Sequence, residues 1–119
     1  FIDSTIVYQG IVGGVLESDI AAMNRIACGE VYPHATIILD IESQIGLARV
    51  KSRGDTEGRF ESKGQDYHEK VRAGFLEIAA NSPSRCVVIN ANRDQDDIAA
   101  DIWKVVQSNL LKSGLIFNE

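Results

Sequence analysis

The sequence predicts a layered α/β fold built around a parallel sheet. Two short runs are nearly all apolar, rich in β-branched residues and free of polar alternation: ATIILDI at Ala35–Ile41 and CVVIN at Cys86–Asn90. That pattern is typical of strands covered on both faces, as in parallel sheets. Helical stretches separate the two runs, and strands joined through helices imply right-handed parallel crossovers. Because two strands do not make a stable sheet of this kind, we expect its other strands upstream of Phe1.

Composition limits the classes of protein to consider. A chain of 119 residues forms one domain at most. Its net charge of −5 argues against a surface that grips nucleic acid through phosphates. Two cysteines, Cys28 and Cys86, are too few and too far apart for a disulfide framework or a zinc site. We interpret them as buried thiols in a reducing compartment, which favours a cytoplasmic protein, and no apolar run approaches the ~20 residues that span a membrane.

The first residues are expected to form a short helix. Asp3 or Ser4 is predicted to cap this helix, which places Tyr8 and Gln9 on its next turn. The segment IVGG at Ile11–Gly14 is predicted to be a flexible joint.

Three further helices are predicted from apolar residues at helical spacing. The repeating residues are Leu16, Ile20, Met23 and Ala27; then Tyr67, Val71, Phe75 and Ile78; and finally Ile98, Ile102, Val105 and Leu110. Gly29 and Gly114 are placed to end the first and the last of these helices, and Asp94 to cap the last. Ser43 is the predicted cap of one more helix, which follows the first strand.

That helix runs into a basic stretch at Gly46–Glu61, which reads GLARVKSRGDTEGRFE. The stretch holds four of the twelve Lys and Arg residues: Arg49, Lys51, Arg53 and Arg59. Arg49 and Arg53 are four residues apart and share a helix face, and Gly54 marks a place where the helix can stop. A polar flap that delivers guanidinium groups suggests closure over phosphates, since Arg offers them a planar, permanently charged fork. The alternative is a solvated, charged helix end and loop.

Five segments, in order, resemble the thymidylate kinase family, whose members phosphorylate dTMP. They are FIDSTIVYQG, ATIILDIESQIGLARVKSRG, GRFE, DYHEKVRAGFLEIA and VVINANRDQDDI, and they are distributed across essentially the whole chain. The resemblance implies the C-terminal part of one kinase domain of bacterial type at 1–119, with a lid at about 46–64. The implied fold is part of a P-loop NTPase-type, three-layer α/β/α fold with a parallel sheet. The N-terminal strands and the phosphate loop are not in this chain, because no G-x-x-x-x-G-K-[ST] occurs.

The resemblance also implies the residues on the ATP side of the reaction. The γ-phosphoryl group of ATP passes to dTMP, giving dTDP, with Mg²⁺ bound mainly by ATP and by residues outside this chain. Arg53 matches the lid arginine that reaches ATP, and Arg49 and Arg59 are the next catalytic candidates. The alternative for Arg49 and Arg59 is a surface salt bridge to an acid of the lid. Ala91 and Asn92 match the loop against the adenine, although Asn92 is equally suited to cap a helix.

Six residues match the dTMP side of the family. They are Ser4, Thr5, Tyr8, Gln9, Phe60 and Glu61. Ser4 and Thr5 match polar positions beside thymine, and Tyr8 matches the aromatic residue that lies against the deoxyribose and can occlude a 2′-hydroxyl. The alternative for Tyr8 is a packed helix residue, and Phe60 is as well suited to anchor the lid as to contact the nucleotide. The chain departs from the family at Ile11–Gly14, where members often have Arg.

The resemblance implies ATP and dTMP as partners and a homodimer formed through helices such as Leu16–Ala27, without nucleic acid or membrane. The fragment alone is expected to be inactive, since it lacks the phosphate loop. Two other functions stay open on the sequence. One is a related deoxynucleoside or nucleotide kinase with another acceptor, and the other is a non-catalytic α/β binding module.

Overall fold

The computed structural model describes residues 1–54 and 63–114. The elements in order are α1 (Ile2–Thr5), a π-helical segment (Ile6–Val12), α2 (Glu17–Cys28), β1 (Thr36–Asp40), α3 (Ser43–Ser52), α4 (Gln65–Asn81), β2 (Cys86–Asn90) and α5 (Gln95–Lys112). The predicted alternation of helices and strands is confirmed. In the part of the chain so described, no helix is both long and apolar enough to cross a membrane.

The two strands pair in parallel, as their composition predicts. Thr36 is opposite Cys86 and Asp40 is opposite Asn90, without a bulge between them. The pairing extends one residue further, since the Ala91 N–H donates to the Asp40 carbonyl over 2.7 Å. Both strands therefore end at the same edge of the sheet.

Helix α4 forms the core with this sheet. Ile38, Ala79 and Cys86 are buried together, and Phe75 and Ile78 of α4 pack against them. The prediction that Cys86 is a buried thiol is confirmed, whereas Cys28 is only half-buried. Other strand residues stay open: Leu39 is 49% exposed and Val88 is 43% exposed. The described elements thus leave part of the apolar sheet uncovered.

The helix ends predicted from the sequence are confirmed in part. Gly54 has a φ of 77° just after α3, a conformation that favours glycine, so its predicted role as a helix stop is confirmed. Asp94 caps α5 by accepting a hydrogen bond from the Gln95 N–H, as expected. The prediction for Ser43 is wrong, because Glu42 occupies the cap position of α3 and makes no side-chain capping bond.

The N-terminal helix differs from the prediction. Helix α1 begins directly after Phe1, so neither Asp3 nor Ser4 caps it. Asp3 lies inside the first turn and is buried. Its carboxylate is paired with Arg85 instead of capping the helix. The predicted joint at Ile11–Gly14 is also shorter than expected, since the π-helical segment continues through Val12.

A close contact with Gly74 fixes the position of the π-helical segment on α4. A Cβ atom at Gly74 would lie 3.1 Å from Val7 Cγ1 and 3.3 Å from Ile11 Cδ1. Gly74 and Val7 are both buried. The absence of a side chain at Gly74 therefore lets the segment that carries Tyr8 approach the helix backbone.

We expect Gly74→Val to lower the free energy of unfolding by about 1–3 kcal/mol, because its γ-carbons would overpack this contact. Urea denaturation monitored by circular dichroism measures the change. Gly46→Val in α3 is the matched control. A Cβ there meets only Ile41 Cγ2, at an ordinary 3.4 Å, so we expect a change below about 1 kcal/mol. Equal losses for both variants would contradict the close-packing argument.

Candidate functional site

The carboxyl edge of the parallel sheet is the centre of the candidate site. In open α/β sheets, ligands bind in the crevice beyond the carboxyl ends of the strands. Asp40 ends β1 and Asn90 ends β2, side by side in the register. Helix α3 begins three residues after Asp40, so the basic helix starts from this edge.

Asp40 forms a two-pronged ion pair with Arg72 of α4. Arg72 Nε donates to Oδ1 over 2.7 Å, and Nη2 donates to Oδ2 over 3.1 Å. The hydrogen bonds from Arg72 hold the pKa of Asp40 below its usual value, and Asp40 in turn raises the pKa of Arg72. The ion pair therefore joins α4 to the end of β1 and neutralises the charge of Asp40 at the edge of the sheet.

A cavity of about 440 Å³ opens beside this ion pair. Its polar and aromatic lining consists of Tyr8, Asp40, Ser43, His68, Arg72 and Phe75. The Tyr8 and Phe75 rings meet edge to face, with centroids 6.1 Å apart. Burial raises the pKa of the Tyr8 hydroxyl, so this group is neutral at physiological pH. The π-helical segment thus brings an aromatic ring to a concave, partly polar surface next to Asp40.

Arg49 links the basic helix to the loop that follows β2. Its Nη1 donates to the Ala91 carbonyl over 2.8 Å. Ala91 is buried, and the next residue is ordered by a hydrogen bond from the Asn92 N–H to Asn90 Oδ1 over 2.9 Å. Three site residues predicted from the sequence, Arg49, Ala91 and Asn92, therefore lie together at the carboxyl edge.

Arg53 follows Arg49 by one helical turn, at the exposed C-terminal cap of α3. The predicted site residues Arg59, Phe60 and Glu61 lie outside the described residues. The acidic lid residues that were the alternative salt-bridge partners of Arg49 also lie outside the described residues. Among the described residues, Arg49 binds a backbone carbonyl in place of a surface acid.

Two of the predicted acceptor residues, Ser4 and Tyr8, line two different cavities, and Thr5 and Gln9 line neither. Ser4 lines a larger cavity of about 1030 Å³, whereas Tyr8 lines the smaller one, and both cavities share Ile38, Leu39 and Phe75. The Thr5 hydroxyl donates to the Phe1 carbonyl over 3.1 Å. Gln9 is exposed.

Within the described part of the chain, the sequence reasoning missed two ion pairs between distant residues, Asp40 with Arg72 and Asp3 with Arg85. The one available signal was Asp40, an acidic residue at the end of an apolar strand. Ligand-binding residues often lie there, at the carboxyl ends of the strands in a parallel sheet. Across residues 1–54 and 63–114, no group of three or more His, Cys, Asp or Glu side chains is placed to hold a metal ion.

Comparison with known proteins identifies relatives of this chain. A family model described as thymidylate kinase matches residues 1–102. A thymidylate kinase of Caulobacter vibrioides is 46% identical over 110 residues, which make up 92% of this chain and 52% of that relative. One from Rhodopseudomonas palustris is 43% identical over 115 residues, covering 95% of this chain and 50% of the relative. The chain therefore spans about half the length of the curated relatives that it matches.

A solved structure of a related protein supports the predicted fold. The crystal structure of a thymidylate kinase from Ehrlichia chaffeensis matches with a TM-score of 0.63 and 31% sequence identity. The match covers 90% of this chain and 47% of that one. The prediction of a partial P-loop NTPase-type α/β fold is confirmed. On the family match and these relatives together, the chain belongs to the thymidylate kinase family.

Proposed function

We propose that the whole protein transfers the γ-phosphoryl group of ATP to dTMP, giving dTDP, and that this chain supplies the lid, part of the dTMP site and the adenine-side loop. The observation that carries the proposal is the convergence at the carboxyl edge of the sheet. Tyr8 lines a cavity with Asp40 there, and Arg49 binds the carbonyl of Ala91. The family of the chain supplies the reaction to which this geometry is matched.

On the acceptor side, the proposal assigns the deoxyribose to the Tyr8 ring. Its edge-to-face contact with Phe75 holds the ring in one orientation. A ring held in this way occupies the space that a ribose 2′-hydroxyl would need. Ser4, Thr5 and Gln9 are assigned to the polar groups of dTMP, together with Phe60 and Glu61 of the lid.

On the donor side, phosphoryl transfer works almost wholly by positioning groups and by neutralising charge on the transferring phosphoryl. Arg53, at the end of α3, is assigned to this neutralisation, with Arg59 of the lid as a second cation. Ala91 and Asn92 are assigned to the adenine, since a small side chain and main-chain groups suit a flat base. Arg49 positions that loop through its hydrogen bond to Ala91.

The phosphate loop and the remaining strands are assigned to a half of the kinase that precedes this chain. Two observations support this: the curated relatives are about twice as long, and Leu39 and Val88 expose apolar surface on the sheet. Strands and helices from that half would cover this surface. The 119-residue chain alone is therefore assigned no phosphoryl transfer activity.

Mg²⁺ is assigned to ATP and to residues outside this chain. The described residues offer no cluster of three or more candidate ligands, and the Asp40 carboxylate is already engaged by Arg72. When bound, the ion would neutralise phosphate charge on ATP. No residue of this chain is assigned as its ligand.

A homodimer is assigned to the exposed face of α2. Leu16, which caps the helix, is 69% exposed and Ile26 is 84% exposed, and apolar side chains this open favour an interface. Light scattering of the whole protein measures its oligomeric state, and a monomer at assay concentrations would contradict the proposed homodimer.

The cytoplasm is the compartment assigned to the protein, and neither nucleic acid nor membrane is assigned as a partner.

The test of the reaction uses the whole protein with ATP and Mg²⁺, and offers either dTMP or thymidine as the acceptor. We expect dTDP from dTMP and no dTMP from thymidine, as measured by chromatography of the nucleotides. Phosphorylation of thymidine instead would establish a deoxynucleoside kinase. No transfer to either acceptor would favour a binding module and contradict the proposal.

A further inference from the structure

A second charged cluster lies away from the candidate site, at the start of the chain. Arg85 Nη1 donates to Asp3 Oδ2 over 2.9 Å, and Nη2 donates to Oδ1 over 3.0 Å. The Thr36 hydroxyl donates to Asp3 Oδ2 over 3.4 Å, and Arg85 Nη1 also donates to the Thr36 hydroxyl oxygen. The guanidinium of Arg85 lies 5.2 Å from the centre of the Tyr32 ring. We call Asp3, Thr36 and Arg85 the Asp3 cluster.

The Asp3 cluster is largely sealed from water and internally satisfied. The Asp3 and Arg85 side chains are 10% and 11% exposed, and both carboxylate oxygens accept hydrogen bonds. The hydrogen bonds from Arg85 hold the pKa of Asp3 below its usual value. The stability that this pairing contributes is therefore present at neutral pH and is lost as the pH falls through the lowered pKa. Removing either partner alone would leave a charge buried without its counter-charge.

The cluster fixes a helical stretch to both strands of the sheet. Asp3 belongs to α1, Thr36 begins β1 and Arg85 directly precedes β2. Helix α1 passes without a break into the π-helical segment, so the stretch from Ile2 to Val12 is held at its start by this cluster.

The same stretch carries the residues assigned to dTMP. Ser4 is next to Asp3 in α1, and Tyr8 lies one turn further on, where its ring meets Phe75. The far end of the stretch is held by the contact of Val7 and Ile11 with Gly74. Two anchors, one charged and one apolar, thus determine where Tyr8 lies relative to the sheet edge.

We propose that Asp3 and Arg85 are positioning residues for the dTMP site, because their buried ion pair sets the place of the helical stretch that carries Ser4 and Tyr8. The proposal rests on the proposed function. Neither residue contacts the nucleotide in this account. Their effect on dTMP binding passes through the position of Tyr8.

The test compares three variants of the whole protein: Arg85→Gln, Asp3→Asn, and the double variant with both changes. Misplacing a binding group by about 1 Å can cost about 100-fold in activity. Because Arg85→Gln would displace the stretch that carries Tyr8, we expect it to raise the KM for dTMP at least about tenfold. The KM for ATP is expected to change less than about twofold. In the double variant no unpaired charge is left buried, and we expect its KM for dTMP to return toward that of the unmodified protein.

Asp101→Asn provides the matched control. Asp101 also pairs with an arginine, Arg93, over 2.7 Å, but Asp101 belongs to α5 and Arg93 to the loop that precedes it, both outside the Ile2–Val12 stretch. We expect its KM for dTMP to stay unchanged. Thermal unfolding of every variant sets an assay temperature at which all are folded. If Arg85→Gln does not fold, Arg85→Lys replaces it. Lysine keeps the counter-charge for Asp3 but loses the two-pronged geometry, so we expect a smaller rise that is again confined to the KM for dTMP.

Several outcomes would overturn the proposal. Equal rises in the KM values for ATP and dTMP, or a loss of thermal stability alone, would reduce the cluster to a general stabilising role. Failure of the double variant to recover would show that unpaired charge is not the cause. A protein active on dTMP whose Arg85→Gln variant is unchanged overturns this proposal alone, whereas an unmodified protein inactive on dTMP overturns the proposed function.

Discussion

Replacing Arg53 by alanine in the whole protein is expected to lower kcat for dTMP phosphorylation by about 10³-fold or more. The KM for dTMP is expected to change little. An arginine that neutralises charge on the transferring phosphoryl group acts mainly in the transition state, so its loss appears in kcat. Arg53 lies at the exposed end of α3, one turn beyond the arginine that holds the loop after β2.

Steady-state kinetics with dTMP and ATP varied in turn measures the effect of Arg53→Ala. Lys112→Ala is the matched control, because Lys112 is an exposed basic residue at the C-terminal end of a different helix, α5. We expect its kinetics to be unchanged. If Arg53→Ala alters only the affinity for dTMP, then Arg53 has been assigned to the wrong nucleotide.

The second large effect is expected at Arg49. Its guanidinium donates a charged hydrogen bond to the Ala91 carbonyl, and a hydrogen bond of this class contributes about 1.5–3 kcal/mol. Because Arg49 is partly exposed, we take the lower end of that range and expect Arg49→Ala to raise the KM for ATP about tenfold. The loop at Ala91 and Asn92 then loses its link to α3.

The control for Arg49→Ala is the conservative change to lysine. Arg49→Lys keeps the charge but replaces the planar fork by a single ammonium group, so we expect only partial recovery of the KM for ATP. The KM for dTMP serves as the internal reference and is expected to stay constant in both variants. A rise confined to dTMP, or a purely kcat effect, would contradict the positioning role of Arg49.

The sequence predicted most of the fold because local patterns determine it. Both strands appear in runs without polar alternation, and the helices α2, α4 and α5 follow the apolar spacing. The helix beginnings were harder to predict. Ser43 lies one residue inside α3, and the π-helical segment at Ile6–Val12 gives no distinct signal in composition.

The site was predicted less completely, since its contacts join distant parts of the chain. The family resemblance placed Tyr8, Arg49, Ala91 and Asn92 on the nucleotides, but it could not predict that Arg49 bonds to a residue 42 positions away. Asp3 was expected to cap a helix on local grounds. Its actual partner lies 82 positions along the chain, and only tertiary packing brings the two together. A single sequence does not show which distant residue the side chain of Arg49 or Asp3 will meet.

The most direct test of the central claim is the acceptor selectivity of the whole protein. With ATP and Mg²⁺ supplied, kcat/KM is measured for dTMP, dUMP, dCMP and AMP. We predict the highest value for dTMP, because the proposal assigns the deoxyribose to the Tyr8 ring, which is held against Phe75, and assigns the thymine to the polar residues beside it. A kcat/KM for dTMP no higher than for dUMP, dCMP or AMP would contradict the account.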